Sequence, residues 1–195
     1  MKPFQSPNSG IEVIGSSVLI IVQGLINQEF ALKVLAEKGL KDINPEKWYP
    51  LQSWLDAYKT ISDKIGPVAL FAIGKKIPEL AKWPPQVNSI ETALSSLDIA
   101  YHMNHRLPGN QNAMFDPKTG VMQEGIGHYK VVKTGDRAMT ITCDNPYPCE
   151  FDKGVITATA KKFKPADVAS IIVIEDESVK CRNNGGQACV YKVTW

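Results

Sequence analysis

The residues best equipped for chemistry fall into two groups. All four cysteines lie near the C-terminal end, as Cys143-x5-Cys149 and Cys181-x7-Cys189. The first pair brackets Asp144-Asn145-Pro146-Tyr147-Pro148, where two prolines and an asparagine forbid regular structure and hold the sulfurs in a fixed turn. The second brackets Arg182-Asn183-Asn184-Gly185-Gly186-Gln187-Ala188, a hairpin-like connection between two apolar runs. Each pair sits where a strand meets a turn, so the sulfurs can meet at one end of a small sheet. Clustered there, Cys143, Cys149, Cys181 and Cys189 would be free thiols or the ligands of a metal ion. The plainer reading has small cysteines packing inside a sheet, and the two gaps are not the common zinc-finger spacing.

The second group is Asp98, His102 and His105, at i, i+4 and i+7 of a helical pattern. They share one face, and two imidazoles with a carboxylate suit a divalent metal. The alternative is a solvated face carrying an Asp98–His102 pair. Cys143 or Cys149 with His128 has the residue types of a nucleophile and its base, but nothing in the sequence fixes their proximity.

These residues need elements to position them. The periodicity predicts helices over 17–38, in two stretches, with Gly39 as a C-terminal cap, then over 51–65 with Leu51, Trp54, Leu55, Tyr58 and Ile61 inward. A further helix over 68–77 is expected to stop at Pro78. The helix from Ser89 to Arg106 starts on a Ser N-cap and turns Ile90, Leu94, Leu97 and Tyr101 toward the core. On that geometry His102 and His105 face outward, where a partner reads them. A polar loop over 107–124 is placed to cover a pocket. Strands follow at 127–133 and 138–143, a helix at 151–163, a strand at 169–174, and a closing hairpin. The fold class is α+β: an N-terminal helical layer packed on a C-terminal, mainly antiparallel sheet with one helix. Residues 1–195 form a single domain, with 1–10 as a loose arm.

Composition narrows the function. A net charge of +2, with Lys and Arg scattered, leaves no basic stripe for nucleic acid. The apolar run Val18–Val22 is far short of the roughly 20 residues that span a bilayer, and Met1-Lys2-Pro3-Phe4 does not open a signal peptide. No membrane association and a cytoplasmic location are expected, where clustered cysteines are free thiols or metal ligands. No Gly-rich nucleotide loop follows a strand and no Ser-centred nucleophile motif occurs, so the chain is expected not to be an enzyme.

Several stretches, taken in order, carry a resemblance. Gly39-Leu40-Lys41-Asp42-Ile43, Leu70-Phe71-Ala72-Ile73-Gly74, Leu97-Asp98 and above all the closing Cys181-x7-Cys189-Val190-Tyr191-Lys192-Val193-Thr194-Trp195 resemble the superfamily that joins haem nitric-oxide/oxygen-binding (H-NOX) domains with 4-vinyl reductase sensory domains. The H-NOX branch implies haem, held by a His shortly after a Leu-Asp pair and by a Tyr-x-Ser-x-Arg motif. Here Leu97-Asp98 leads to Tyr101 and His102, shifted by one residue, and Cys143-Asp144-Asn145-Pro146-Tyr147 stands where the motif would be. The missing Arg removes the charge-assisted bonds to the propionates. The 4-vinyl reductase branch implies zinc on cysteines that match Cys149, Cys181 and Cys189, with an acidic ligand near Glu175, Asp176 and Glu177.

The expectation is thus a non-enzymatic sensory domain that binds a small apolar or aromatic molecule, in a pocket lined by Phe71, Trp83, Tyr101, Met103, Phe115 and Tyr129. Signalling would run through a separate protein or a homodimer. The alternative is a haem-binding gas sensor with Tyr101, His102 or His105 as axial ligand; a purely structural domain stands behind both.

Overall fold

A computed structural model describes residues 1–195. In chain order the elements are β1 (Glu12–Ile14), α1 (Gly15–Val18), α2 (Ile20–Gly24), α3 (Gln28–Glu37), β2 (Trp48–Pro50), α4 (Leu51–Ile65), α5 (Pro67–Leu80), α6 (Ile90–Ser95), α7 (Leu97–Met103), β3 (His105–Arg106), β4 (Tyr129–Gly135), β5 (Ala138–Cys143), α8 (Cys149–Lys162), β6 (Ile172–Glu175) and β7 (Cys189–Thr194). The α+β architecture is as expected, with helices gathered ahead of an antiparallel four-stranded sheet in the order β4-β5-β7-β6. A small second sheet, β2-β1-β3, ties the N-terminal strand to the end of α7. No helix is long and apolar enough to cross a membrane.

Local signals explain most helix ends. The Asn27 side chain accepts the Phe30 N–H at 2.9 Å to start α3, and Gly39, at φ +80°, lets Leu40 N–H reach the Leu35 carbonyl at 2.9 Å to finish it. Ser89 and Thr92 form a reciprocal capping box at α6. Contrary to expectation, Pro78 does not stop α5, which runs on to Leu80. Its last turn is held from outside: the Pro78 carbonyl accepts Trp83 Nε1 and Lys162 Nζ, each at 3.0 Å.

Two glycines let α5 and α8 meet backbone to backbone. A Cβ at Gly74 would stand 2.2 Å from the Phe151 carbonyl oxygen, and one at Gly154 would stand 2.3 Å from that of Phe71. Alanine at either site would wedge the layers apart.

The sheet buries one face. Met139, Ile141 and Cys143 of β5 lie opposite Val193, Tyr191 and Cys189 of β7, and all six are buried, the alternation expected of a half-covered antiparallel sheet. The first ten residues are not a loose arm. Phe4 N–H donates to the Pro146 carbonyl at 2.9 Å, Ser6 N–H to Gln52 Oε1 at 2.8 Å, and the Phe4 ring packs on the core.

The expected helix from Ser89 to Arg106 is broken. Ser96 ends α6, its hydroxyl donating back to the Ala93 carbonyl at 2.8 Å, and α7 stops at Met103 so that His105 and Arg106 enter β3.

Candidate functional site

The row Ile90, Leu94, Leu97 and Tyr101 does face the core. Beneath Tyr101 lies a cavity of about 70 Å³ walled by Trp54, Tyr101, His105, Tyr129, Tyr147 and Phe151. Its rings pack edge to face: Tyr147 stands 5.3 Å from Trp54 and 5.8 Å from Tyr101, centre to centre. At Ser17, Ile77, Ala100 and Asn104 the cavity adjoins an outer groove of about 440 Å³, which also holds Ile20, Leu80 and Met103. That groove is a route in.

The wall is neutral. Tyr101 O–H donates to the Ile126 carbonyl at 2.7 Å. Burial pushes His105 down to about 4, so its ring is uncharged at neutral pH. Its Nδ1 is 2.7 Å from the Tyr101 carbonyl, which fixes the proton there, and Nε2 then accepts from Tyr147 O–H at 2.6 Å. Burial likewise raises the Tyr101, Tyr129 and Tyr147 hydroxyls far above the ordinary range.

His102 and His105 do not face outward; both are buried. His105 has left the helix for β3 and lines the cavity. His102 is not among the lining residues, and its face of α7 is covered by the chain leading into β4, where His128 stacks 5.1 Å away. Asp98, His102 and His105 therefore do not converge on an ion.

Of the expected pocket residues only Tyr101 and Tyr129 line the cavity. Trp83 packs edge-on against Phe163 at 5.0 Å. Met103 is exposed and joins Trp83 in a shallow outer groove. Phe71 lies beneath the Lys75 ammonium and lends its backbone to the α5/α8 contact. Phe115 pairs with Met122 inside the 107–128 loop. Sequence reading missed Trp54, Tyr147 and Phe151 as wall residues; the periodicity that put Trp54 in the core does not say which core residues border a void.

Three of the four cysteines converge. Cys149 begins α8, Cys181 precedes a short turn of 3-10 helix, and Cys189 begins β7. Their sulfurs are 3.2 Å (149–181), 2.9 Å (149–189) and 2.9 Å (181–189) apart, all as free thiols. Sulfurs on a tetrahedral zinc stand about 3.8 Å apart, so each would retreat by under about 1 Å. The loop is drawn tight by Gly186, where a Cβ would collide with the Lys180 carbonyl. Hydrogen bonds from Cys149, Cys181 and Arg182 lower the Cys189 thiol below its ordinary range. Cys143 lies opposite Cys189 in the sheet but outside the cluster, and burial raises its thiol. It packs in the core, as the plainer reading has it.

Glu175 of β6 lies beside the cluster but outside it. Glu175 Oε1 is buried without a hydrogen-bond partner, and Glu175 borders the same surface recess as Cys181. Asp176 is engaged by Lys192 at 2.8 Å and by Ser178, while Glu177 is exposed. The cluster and cavity are joined by a buried chain that sequence reading did not find, although Arg182 directly follows Cys181. Arg182 donates to Cys189 Sγ at 3.4 Å, to the Asn145 carbonyl, and to Asp152 Oδ2 at 2.5 Å. Asp152 Oδ1 accepts from Tyr129 O–H at 2.5 Å, and Tyr129 lines the cavity. Burial raises Asp152 to about 6 in spite of the guanidinium, so at neutral pH the pair is ionised.

No family model and no curated protein matches the sequence. Among solved structures the chain is similar to an H-NOX protein from S. oneidensis, at 13% identity and TM-score 0.65, covering 93% of this chain and 95% of that one. It is also similar to an oxygen-binding H-NOX domain related to soluble guanylate cyclases, at 15% identity and TM-score 0.61 over 92% and 91% of the two chains. A T. tengcongensis H-NOX mutant gives 14% and 0.62 over 92% and 93%. The fold is thus H-NOX-like.

Proposed function

We propose that this chain is a non-catalytic sensory domain that takes a small, uncharged aromatic or apolar molecule beneath α7 and signals to a separate protein or to a second copy of itself. The observation that carries it is the neutral, aromatic cavity with one polar pair, His105 and Tyr147, on its wall. Such a site favours an apolar body bearing a single hydroxyl. Its volume is about half the roughly 150 Å³ of an engineered cavity that admits benzene, so an aromatic guest displaces side chains at the Ala100 and Asn104 mouth. Zinc belongs in this reading as a clamp on Cys149, Cys181 and Cys189, with Glu175 as the fourth ligand, after the pattern of the 4-vinyl reductase branch. Phenol titrated calorimetrically should bind the wild type one to one, and Ala100→Trp, which fills the mouth, should abolish the heat. Equal heats from both proteins, or none from the wild type, would overturn the assignment.

A second reading, haem, is favoured by the likeness to H-NOX domains, among them ones studied for haem distortion. The residues present do not fit that group. Tyr101 O–H and both nitrogens of His105 are engaged, and His102 is not on the cavity wall. The only buried guanidinium, Arg182, is committed to Asp152. Incubation with haemin followed by gel filtration should leave no Soret band with the protein; a retained band that Tyr101→Phe or His105→Ala removes would establish the second reading instead.

A further inference from the structure

We propose that Asp98, His102 and His128 form a metal site of their own, for a divalent ion of the zinc type, on the side of α7 away from the cavity. Each offers a ligand atom, and these atoms lie within 4.8 Å of one another. His102 is fully buried, and its Nδ1–H donates to the Asp98 carbonyl at 2.8 Å, which leaves Nε2 as a lone pair. That Nε2 is buried with no partner at all. A ligating imidazole typically anchors its other N–H on a backbone carbonyl or carboxylate, which fixes the tautomer and the ring.

The remaining contacts complete the same pattern. His128 Nδ1 and Asp98 Oδ2 are 2.9 Å apart, close to the spacing of two ligands on one ion, and share a proton that the ion would replace. His128 Nε2–H donates to Glu124 Oε2 at 2.8 Å, the outer carboxylate that such a ring requires. Asp98 Oδ1 is fixed by the Tyr129 N–H at 2.9 Å. Two imidazoles and one carboxylate with an open position suit zinc, nickel or copper over calcium or magnesium, which favour oxygen donors. Binding releases one proton from the His128–Asp98 pair and ties α7 to the residue that leads into β4. Those two elements also carry Tyr101 and Tyr129 of the cavity wall.

Cobalt(II) alone separates this site from the thiol cluster, because thiolate ligands give an intense near-ultraviolet charge-transfer band and nitrogen and oxygen ligands do not. The protein should bind one equivalent that contributes no such band. His102→Ala and His128→Gln should each weaken that equivalent by at least about 100-fold, and Glu124→Gln by about 10-fold, with any thiolate band unchanged. His128 is partly exposed, so His128→Gln reads the site even where the buried His102→Ala chain does not fold. Cobalt that binds only with the thiolate band, or a His128→Gln titration matching wild type, would overturn the proposal.

Discussion

The cavity and the thiol cluster are both set mostly beneath the surface, yet one is kept neutral and the other charged. Around the cavity every polar group is an uncharged donor or acceptor: Tyr101 on the Ile126 carbonyl, Tyr147 on His105, His105 on the Tyr101 carbonyl. Around the thiols a guanidinium sits between the Cys189 sulfur and the Asp152 carboxylate, with both side chains of the Arg182–Asp152 pair buried. The neutral wall can exchange solvent for a guest without stripping an ion of its partner. The charged cluster cannot yield, because each member lost leaves another charge unpaired. The cavity is therefore the adaptable region and the cluster its anchor, and Tyr129, hydrogen-bonded to Asp152, stands in both.

The largest test of that contrast is Arg182→Met. It strands the Asp152 carboxylate and should cost about 3–5 kcal/mol of stability in urea unfolding. Adding Asp152→Leu should recover most of it; a single-variant loss below about 1 kcal/mol would mean that the anchor is not an anchor. Zinc removal comes next. At free zinc 100 times the dissociation constant the ion on the thiols contributes about 2.7 kcal/mol, so a chelator should lower the Tm of the wild type and of Cys143→Ala by more than that of Cys189→Ser, which keeps only the histidine site. A Tm shift lost in Cys143→Ala would return that residue to the ligand set.

Acid sharpens the comparison, because the two regions respond with opposite sign. Unfolded, His105 takes its proton as pH falls through 6.5, whereas folded it refuses until about 4. Its stabilisation is present above 6.5 and lost on acidification across that window, up to about 3 kcal/mol at about 1.4 kcal/mol per unit. Asp152 is the reverse: raised from 3.8 to about 6, it favours the folded state below about 4 and loses that contribution as pH rises to 6. Asp152→Asn should therefore steepen the loss of stability below pH 6.5, and His105→Gln should leave stability that falls as pH rises from 4 to 6. Identical pH profiles for the two variants would contradict the assignment of charge. The smallest effect belongs to Tyr147→Phe, which leaves His105 Nε2 without a donor and should cost about 1–2 kcal/mol.

Much of the scaffold was legible because its signals are local. Gly39, Ser89 and the inward row ending at Tyr101 each act within a turn or two of chain, and each does as its chemistry predicts. That the sulfurs meet at one end of the sheet was legible too, since prolines and glycines pin both loops, but only the resemblance to the 4-vinyl reductase branch singled out Cys149, Cys181 and Cys189. Cys143 shares their spacing but lies on the inward face of β5, a distinction only strand register makes. The burial of His102 and His105 was out of reach for the same kind of reason: a helical wheel cannot say that the helix stops at Met103, or that the chain leading into β4 lays His128 over the other side. Gly74 and Gly154 read as ordinary helix glycines until α5 and α8 are seen in contact.

The most direct measurement compares phenol and toluene on wild type and His105→Phe by calorimetry. The two guests differ by one hydroxyl, and a hydrogen bond from it to the His105–Tyr147 pair is worth about 1 kcal/mol. Phenol should bind wild type some 5- to 10-fold more tightly than toluene, and His105→Phe should erase that difference. Binding of neither guest, together with a haemin-reconstituted Soret band, would contradict the account.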